Sequence, residues 1–171
     1  TRGHRDLRSV VPRPRRAVYG AAMSTLATQA VRRRYADRLM LGIDGDTRAL
    51  HDAFAATPRE DFVGEPPWPL LGGGIGRLWS DDPAELYQDV LVSLDAPRGI
   101  NNGQPSLHAR GLAACDPQPG DRVLHVGAGT GYYSAILAQL GGGQGEVIAY
   151  EIEADLAALA AATPKPGPQA G

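Results

Sequence analysis

Residues 122–131 read Arg122-Val123-Leu124-His125-Val126-Gly127-Ala128-Gly129-Thr130-Gly131, and their reading decides the fold. The first five are a short strand candidate that runs directly into a glycine loop. Tyr133–Leu140 then carries apolar residues at helical spacing through Ile136, Leu137 and Leu140. Gly141–Gly145 breaks that helix, and Val147-Ile148-Ala149-Tyr150 is a second strand candidate ending on Glu151. A further helix covers Leu156 and Leu159. Strand, helix and strand in this order form a βαβ unit, which belongs to a parallel sheet.

Glycines at the end of the first strand allow a sharp turn and let a ligand approach the backbone closely. Glu151 follows Gly131 by twenty residues and closes the second strand, where a carboxylate can accept hydrogen bonds from both hydroxyls of a ribose. Loop and acid together are a site for an adenosine-containing cofactor. A dinucleotide fingerprint needs a third glycine at the sixth position of the loop, and that position is Tyr132. The pattern is G-x-G-x-G, so a nicotinamide-dependent oxidoreductase is the weaker alternative.

Outward from this unit, Ser24 is an N-cap candidate for a helix reaching about Leu41, with Leu26, Ala30, Val31, Tyr35, Leu39 and Met40 as its apolar positions. Thr47 is placed to cap a second helix carrying Leu50, Ala53 and Phe54, and Pro58 ends it. Arg32–Arg34 is expected to be a solvated face. Residues 64–83, rich in Pro and Gly, are expected to be loop, with Trp68 and Trp79 anchoring it on the core. Val90-Leu91-Val92 suits a strand. Gly99–Ser106 is a turn-rich connector into a helix from about Leu107 to Cys115, where Cys115 is expected to be a small buried residue.

The chain has 171 residues, room for one domain, and its 43% hydrophobic content excludes full disorder. One cysteine excludes a disulfide framework, and the scattered His4, His51, His108 and His125 offer no paired metal ligands, so no metal is expected. No apolar run approaches the length of a membrane span. Formal net charge is −2, but residues 1–38 hold ten arginines against Asp6 and Asp37. Residues 1–22 lack apolar patterning and are expected to be a disordered or mis-annotated basic extension rather than a nucleic-acid arm. The tail 163–171 is expected to be a disordered Pro/Gly segment, leaving 23–162 as the folded part.

Four segments in order resemble the protein-L-isoaspartate O-methyltransferases, a family of class I S-adenosylmethionine-dependent methyltransferases. They are Pro58-Arg59-Glu60-Asp61-Phe62-Val63, Leu86-Tyr87-Gln88-Asp89, Asn102-Gly103-Gln104-Pro105-Ser106-Leu107-His108-Ala109, and Val123–Ala138 with its glycine loop. The resemblance spans roughly residues 47–162. It implies an α/β fold: a helical N-terminal region followed by the first βαβ part of a Rossmann-like sheet. That sheet has seven strands in the family, so here it would be incomplete, truncated at its C-terminal side. It implies a cytoplasmic enzyme that uses S-adenosyl-L-methionine to methylate the free carboxylate of L-isoaspartyl residues in damaged proteins or peptides, a repair reaction.

By the same resemblance, Gly127, Ala128, Gly129, Thr130 and Gly131 would wrap the methionine part of the cofactor. Glu151 would hold the ribose, with Ile152 beside the adenine. Asn101, Gly103, Gln104 and His108 would line cofactor and acceptor. Two positions depart from the family pattern. The family's serine falls on Gly103, which leaves Asn102 and Ser106 as candidate catalytic contacts, and the acid usual before the loop is His125. A non-catalytic remnant or cofactor-binding module therefore stands as the alternative to an active enzyme.

Overall fold

The computed structural model describes residues 25–72 and 77–163; of residues 25–27 and 77 only the backbone is described. The Ser24 cap, the basic extension 1–22 and residues 164–171 of the tail lie outside the described residues.

Helix α1 (Thr25–Leu39) packs against α2 (Arg48–Ala56). Tyr35, Ala36 and Leu39 of α1 and Leu50, Ala53 and Phe54 of α2 are buried, one stripe from each helix, as 3.6-residue spacing requires. The Thr47 hydroxyl does not cap α2; the Asp46 carboxylate accepts the Arg48 amide at 3.0 Å instead. Arg32 also departs from a fully solvated face, because its Nε donates to the Ala55 carbonyl at 3.1 Å and ties the two helices together.

The described part of residues 64–83 is not all loop. Trp68–Leu71 forms β1 and Arg77–Ser80 forms β2, an antiparallel pair that continues to β3 (Leu91–Asp95) and β4 (Ile100–Asn101) in the order β2-β1-β3-β4. Pro69 is tolerated because it pairs only with Trp79; the β1–β3 pairing begins at Leu70 opposite Val92, so the missing amide falls where β1 has one neighbour. Trp68 is indeed an anchor, buried and donating from Nε1 to the Gly64 carbonyl at 2.8 Å, but from within a strand. Trp79 is not one: it is 57% exposed on the edge strand.

Helix α3 (Pro105–Cys115) follows, and it corrects the expectation for Cys115, which is exposed at the helix end rather than buried. The βαβ unit is present as read. Strand β5 (Arg122–Val126) pairs in parallel with β6 (Glu146–Tyr150), with Arg122 opposite Glu146 and Val126 opposite Tyr150. Between them runs α4 (Tyr132–Gly141), and α5 (Ala154–Ala162) follows. Among the described residues this sheet has two strands, and Leu124, Val126 and Tyr150 are 60%, 73% and 61% exposed.

Helix α4 ties the parallel sheet to the N-terminal helical region. Tyr132 is buried edge-on against Phe62 at 5.5 Å and against Phe54 at 6.4 Å between ring centroids, and Ile136 is fully buried. Aromatic pairs in this geometry add about 0.5–1.5 kcal/mol each beyond the area they bury. The glycine loop that precedes α4 is thereby fixed against the N-terminal core.

Candidate active site

The glycine loop turns on left-handed backbone at Gly127 (φ 77°), Gly129 (φ 56°) and Gly131 (φ 93°). The amides of Gly127 and Ala128 both donate to the Tyr150 carbonyl, at 2.9 and 3.0 Å, so the loop is bound to the end of β6. Thr130 is buried and its hydroxyl donates to the Phe62 carbonyl at 2.5 Å. A Cβ built on Gly127 or Gly129 would meet nothing within 4 Å, so the outer face of the loop is open to a ligand. A Cβ on Gly131 would come within 3.3 Å of Ala160 Cβ, so glycine there lets α5 approach.

Glu151 sits at the rim of this loop. Its Oε1 accepts the Glu153 amide at 3.0 Å and its Oε2 accepts the Gly129 amide at 2.6 Å, and these bonds hold the carboxyl below its usual range. Ile152 beside it is 92% exposed. Arg98, in the β3–β4 turn, reaches this corner: it donates to Asp95 at 2.8 Å and to Glu153 and Asp155 at 2.5 Å each. The antiparallel sheet is thus tied to the segment that follows Glu151.

The second wall is the connector 101–108. Gly103 lies between two anchored residues. Asn102 Oδ1 accepts from the Val92 amide at 2.9 Å and from Arg59 Nη2 at 3.1 Å. Ser106 donates its hydroxyl to Asp89 at 2.7 Å and its amide at 2.8 Å, and Gln104 Nε2 donates to the same carboxylate at 2.9 Å. The two candidate catalytic side chains, Asn102 through its Oδ1 and Ser106 through its hydroxyl, are therefore both engaged in holding the connector, while Asn102 Nδ2 is buried without a partner. Asn101 Oδ1 accepts the Gly103 amide at 2.9 Å.

Gly103 has φ 75°, and a Cβ there would fall 3.0 Å from both ring nitrogens of His108 and closer still to Cε1. The imidazole takes the space that a residue-103 side chain would need. It stacks on Tyr133 at 3.7 Å with an interplanar angle of 4°, its Nδ1 donates to the Gln104 carbonyl at 3.0 Å, and Tyr133 donates to the Gly103 carbonyl at 3.4 Å. Burial, and then His108, hold the imidazole of His125 below its ordinary pKa, against the opposite pull of Glu151. His125 Nδ1 also pairs with the Ser134 hydroxyl at 2.8 Å, joining strand and helix behind the loop.

Three residues that organise the site carried no role in the sequence reading: Arg59, Asp89 and Tyr133. Arg59 is fully buried, and its guanidinium donates to the carbonyls of Leu86 (2.6 Å), Gln88 (3.3 Å) and Val90 (2.6 Å). Its place in Pro58–Val63, and Asp89's in Leu86–Asp89, were signals in plain view. Among the described residues, no three His, Cys, Asp or Glu side chains gather as a metal site, and no helix is long and apolar enough to cross a membrane.

A parallel βαβ unit with a glycine loop at the end of its first strand is the arrangement of a Rossmann-like α/β fold, a class whose ligands bind at the carboxyl ends of the strands. The sequence model described as protein-L-isoaspartate(D-aspartate) O-methyltransferase (PCMT) matches residues 42–165, and the chain belongs to that family. Among its relatives are the protein-L-isoaspartate O-methyltransferases of Koribacter versatilis, 37% identical over 67% of this chain and 42% of the relative, and of Aeropyrum pernix, 47% identical over 67% and 37%. That of Bordetella avium is 36% identical over 75% of this chain and 42% of its own. A solved protein-L-isoaspartate O-methyltransferase superposes with a TM-score of 0.60 at 25% identity, covering 76% of this chain and 37% of that one. The chain spans about two fifths of the length of the curated relatives it matches.

Proposed function

We propose that this protein supplies the cofactor-binding part of a cytoplasmic protein-L-isoaspartate O-methyltransferase, which methylates the free carboxylate of L-isoaspartyl residues in damaged proteins with S-adenosyl-L-methionine. The observation that carries the reading is the open glycine loop with Glu151 at its rim, beside the anchored connector 101–108 that packs through His108 on Tyr133, two residues beyond the loop.

The residues fit the cofactor. The faces of Gly127 and Gly129 are clear, which admits the methionine part against the backbone. A carboxylate offers about four lone-pair sites, and the amides of Glu153 and Gly129 take two of those on Glu151. The others remain to accept ribose hydroxyls. When bound, the cofactor supplies an electrophilic methyl group on a sulfonium. An α-carboxylate has an ordinary pKa of about 3.3–3.7 and is already ionised at neutral pH, so this protein need supply no strong base. Its residues act by orienting the acceptor and excluding water. The methyl ester can then close to a succinimide, the following backbone amide nitrogen attacking the ester carbonyl and methanol leaving, which begins repair.

A second reading, a module that binds cofactor without turnover, is favoured by the exposed apolar face of Leu124, Val126 and Tyr150. Calorimetry with S-adenosylhomocysteine followed by methyl transfer to an isoaspartyl peptide separates the two. Turnover supports the enzyme; binding without turnover supports the module. No binding removes both.

A further inference from the structure

Helix α3 does not cap itself. Its first residue is Pro105, which has no amide proton, and its N-cap residue Gln104 makes no side-chain bond to the helix. The next amide, that of Ser106, is taken by the Asp89 carboxylate from 17 residues upstream, which also holds the Ser106 hydroxyl and the Gln104 side chain. Desolvation pushes the Asp89 carboxyl up, but these three bonds and the nearby Arg59 more than offset it, and it titrates below the usual range. Arg59 in turn grips the carbonyls of Gln88 and Val90 on either side of Asp89, so the anchor is itself fixed to the buried core.

One turn into α3 stands His108, over Gly103 and stacked on Tyr133. The position of that imidazole follows from where the helix begins, and Asp89 sets where the helix begins. We propose that Asp89 is a positioning residue for the acceptor side of the site, holding the N-terminus of α3 so that His108, Gly103 and Gln104 form one rigid wall against Tyr133, beside the glycine loop. The proposal deepens the methyl-transfer reading and rests on it for its catalytic consequence.

The test is Asp89→Asn in the full-length protein. An amide presents hydrogens where the carboxylate accepts them, so at least one of the three bonds is lost with no change of volume. Three quantities are read: affinity for S-adenosylhomocysteine, kcat/KM on an isoaspartyl peptide, and the proton resonances of His108, which the Tyr133 ring shifts upfield in the stack. The expected result is a fall in kcat/KM of about tenfold or more, since small misplacements of reacting groups cost that much. Cofactor affinity should fall by a smaller factor than kcat/KM, because the loop and Glu151, which would hold the methionine part and the ribose, are untouched. The His108 resonances should move toward unstacked positions. A purely structural role would instead lower cofactor affinity and turnover together. Unmoved His108 resonances, or unchanged kcat/KM with the resonances moved, overturn the proposal. Should the unmodified protein show no turnover, the methyl-transfer reading falls, and the His108 resonances alone still decide whether Asp89 sets the wall. Should Asp89→Asn not fold, Ser106→Ala removes a single bond to the same carboxylate, and the same resonances must shift in the same direction.

Discussion

Gly103→Ser places a side chain where the structure has put an imidazole. Two costs arise. At φ 75° a non-glycine residue lies in the left-handed region, which costs about 1–2 kcal/mol. The new Cβ would also stand 3.0 Å from the His108 ring nitrogens, so the ring must leave its stack on Tyr133, a loss of about 0.5–1.5 kcal/mol. A total of about 1.5–3.5 kcal/mol is expected, well above the effect of an ordinary surface change. Urea denaturation of the full-length protein measures it, with the midpoint shifting at constant slope. The coupling is the sharper test. His108→Ala already forfeits the stack, so adding Gly103→Ser to it should cost only the backbone strain, and the double variant should be more stable than the two single effects summed by about 1 kcal/mol. Strict additivity, or a Gly103→Ser variant within about 0.5 kcal/mol of the parent, would refute the idea that imidazole and glycine share one volume.

Further outcomes follow from the same geometry. Glu151→Ala should weaken S-adenosylhomocysteine binding by about 1–3 kcal/mol, the usual cost of leaving polar partners unmatched; an unchanged dissociation constant in calorimetry would remove Glu151 from the cofactor site. His125 is held below its ordinary pKa of 6.5, so on acidification the unfolded state takes up its proton first, and stability should fall as pH drops through about 6.5 toward the lowered value. His125→Gln, measured by denaturation between about pH 5 and 7, should flatten that slope, and a parallel slope would contradict the assignment. Arg59→Ala orphans the buried carbonyls of Leu86 and Val90, at about 1–3 kcal/mol each; thermal unfolding that loses less than one such bond would show them satisfied in another way. Trp68→Ala should cost about 3–5 kcal/mol as a core truncation, whereas Trp79→Ser, at 57% exposure, should stay within about 0.5 kcal/mol.

What was legible in the residues is local. The βαβ unit announced itself because apolar spacing, strand ends and positive-φ glycines are properties of neighbouring residues, and β5, α4 and β6 stand where the pattern put them. The antiparallel sheet stayed hidden, since Pro66, Pro67, Pro69 and the glycines of residues 72–74 are loop signals taken one by one. Only pairing shows that Pro69 falls where no amide is demanded. Cys115 and Trp79 were misplaced for a related reason: burial depends on which face of an element meets the core, and a residue at a helix end or on an edge strand has no spacing to reveal it.

The candidate site divides along the same line. By itself the sequence determined the glycine loop, the acid twenty residues beyond it and the family to which they belong, because these rest on short-range order that any homologous fold must repeat. The tertiary structure alone decided that Asn102 and Ser106 serve as anchors, that His108 fills the space over Gly103, and that Arg59 and Asp89 hold them there. The anchoring roles of Asn102, Ser106, Arg59 and Asp89 come from hydrogen bonds between residues 10 to 43 positions apart. A carboxylate or guanidinium in a sequence shows its charge, while the donors and acceptors it will satisfy are chosen only when the fold closes around it.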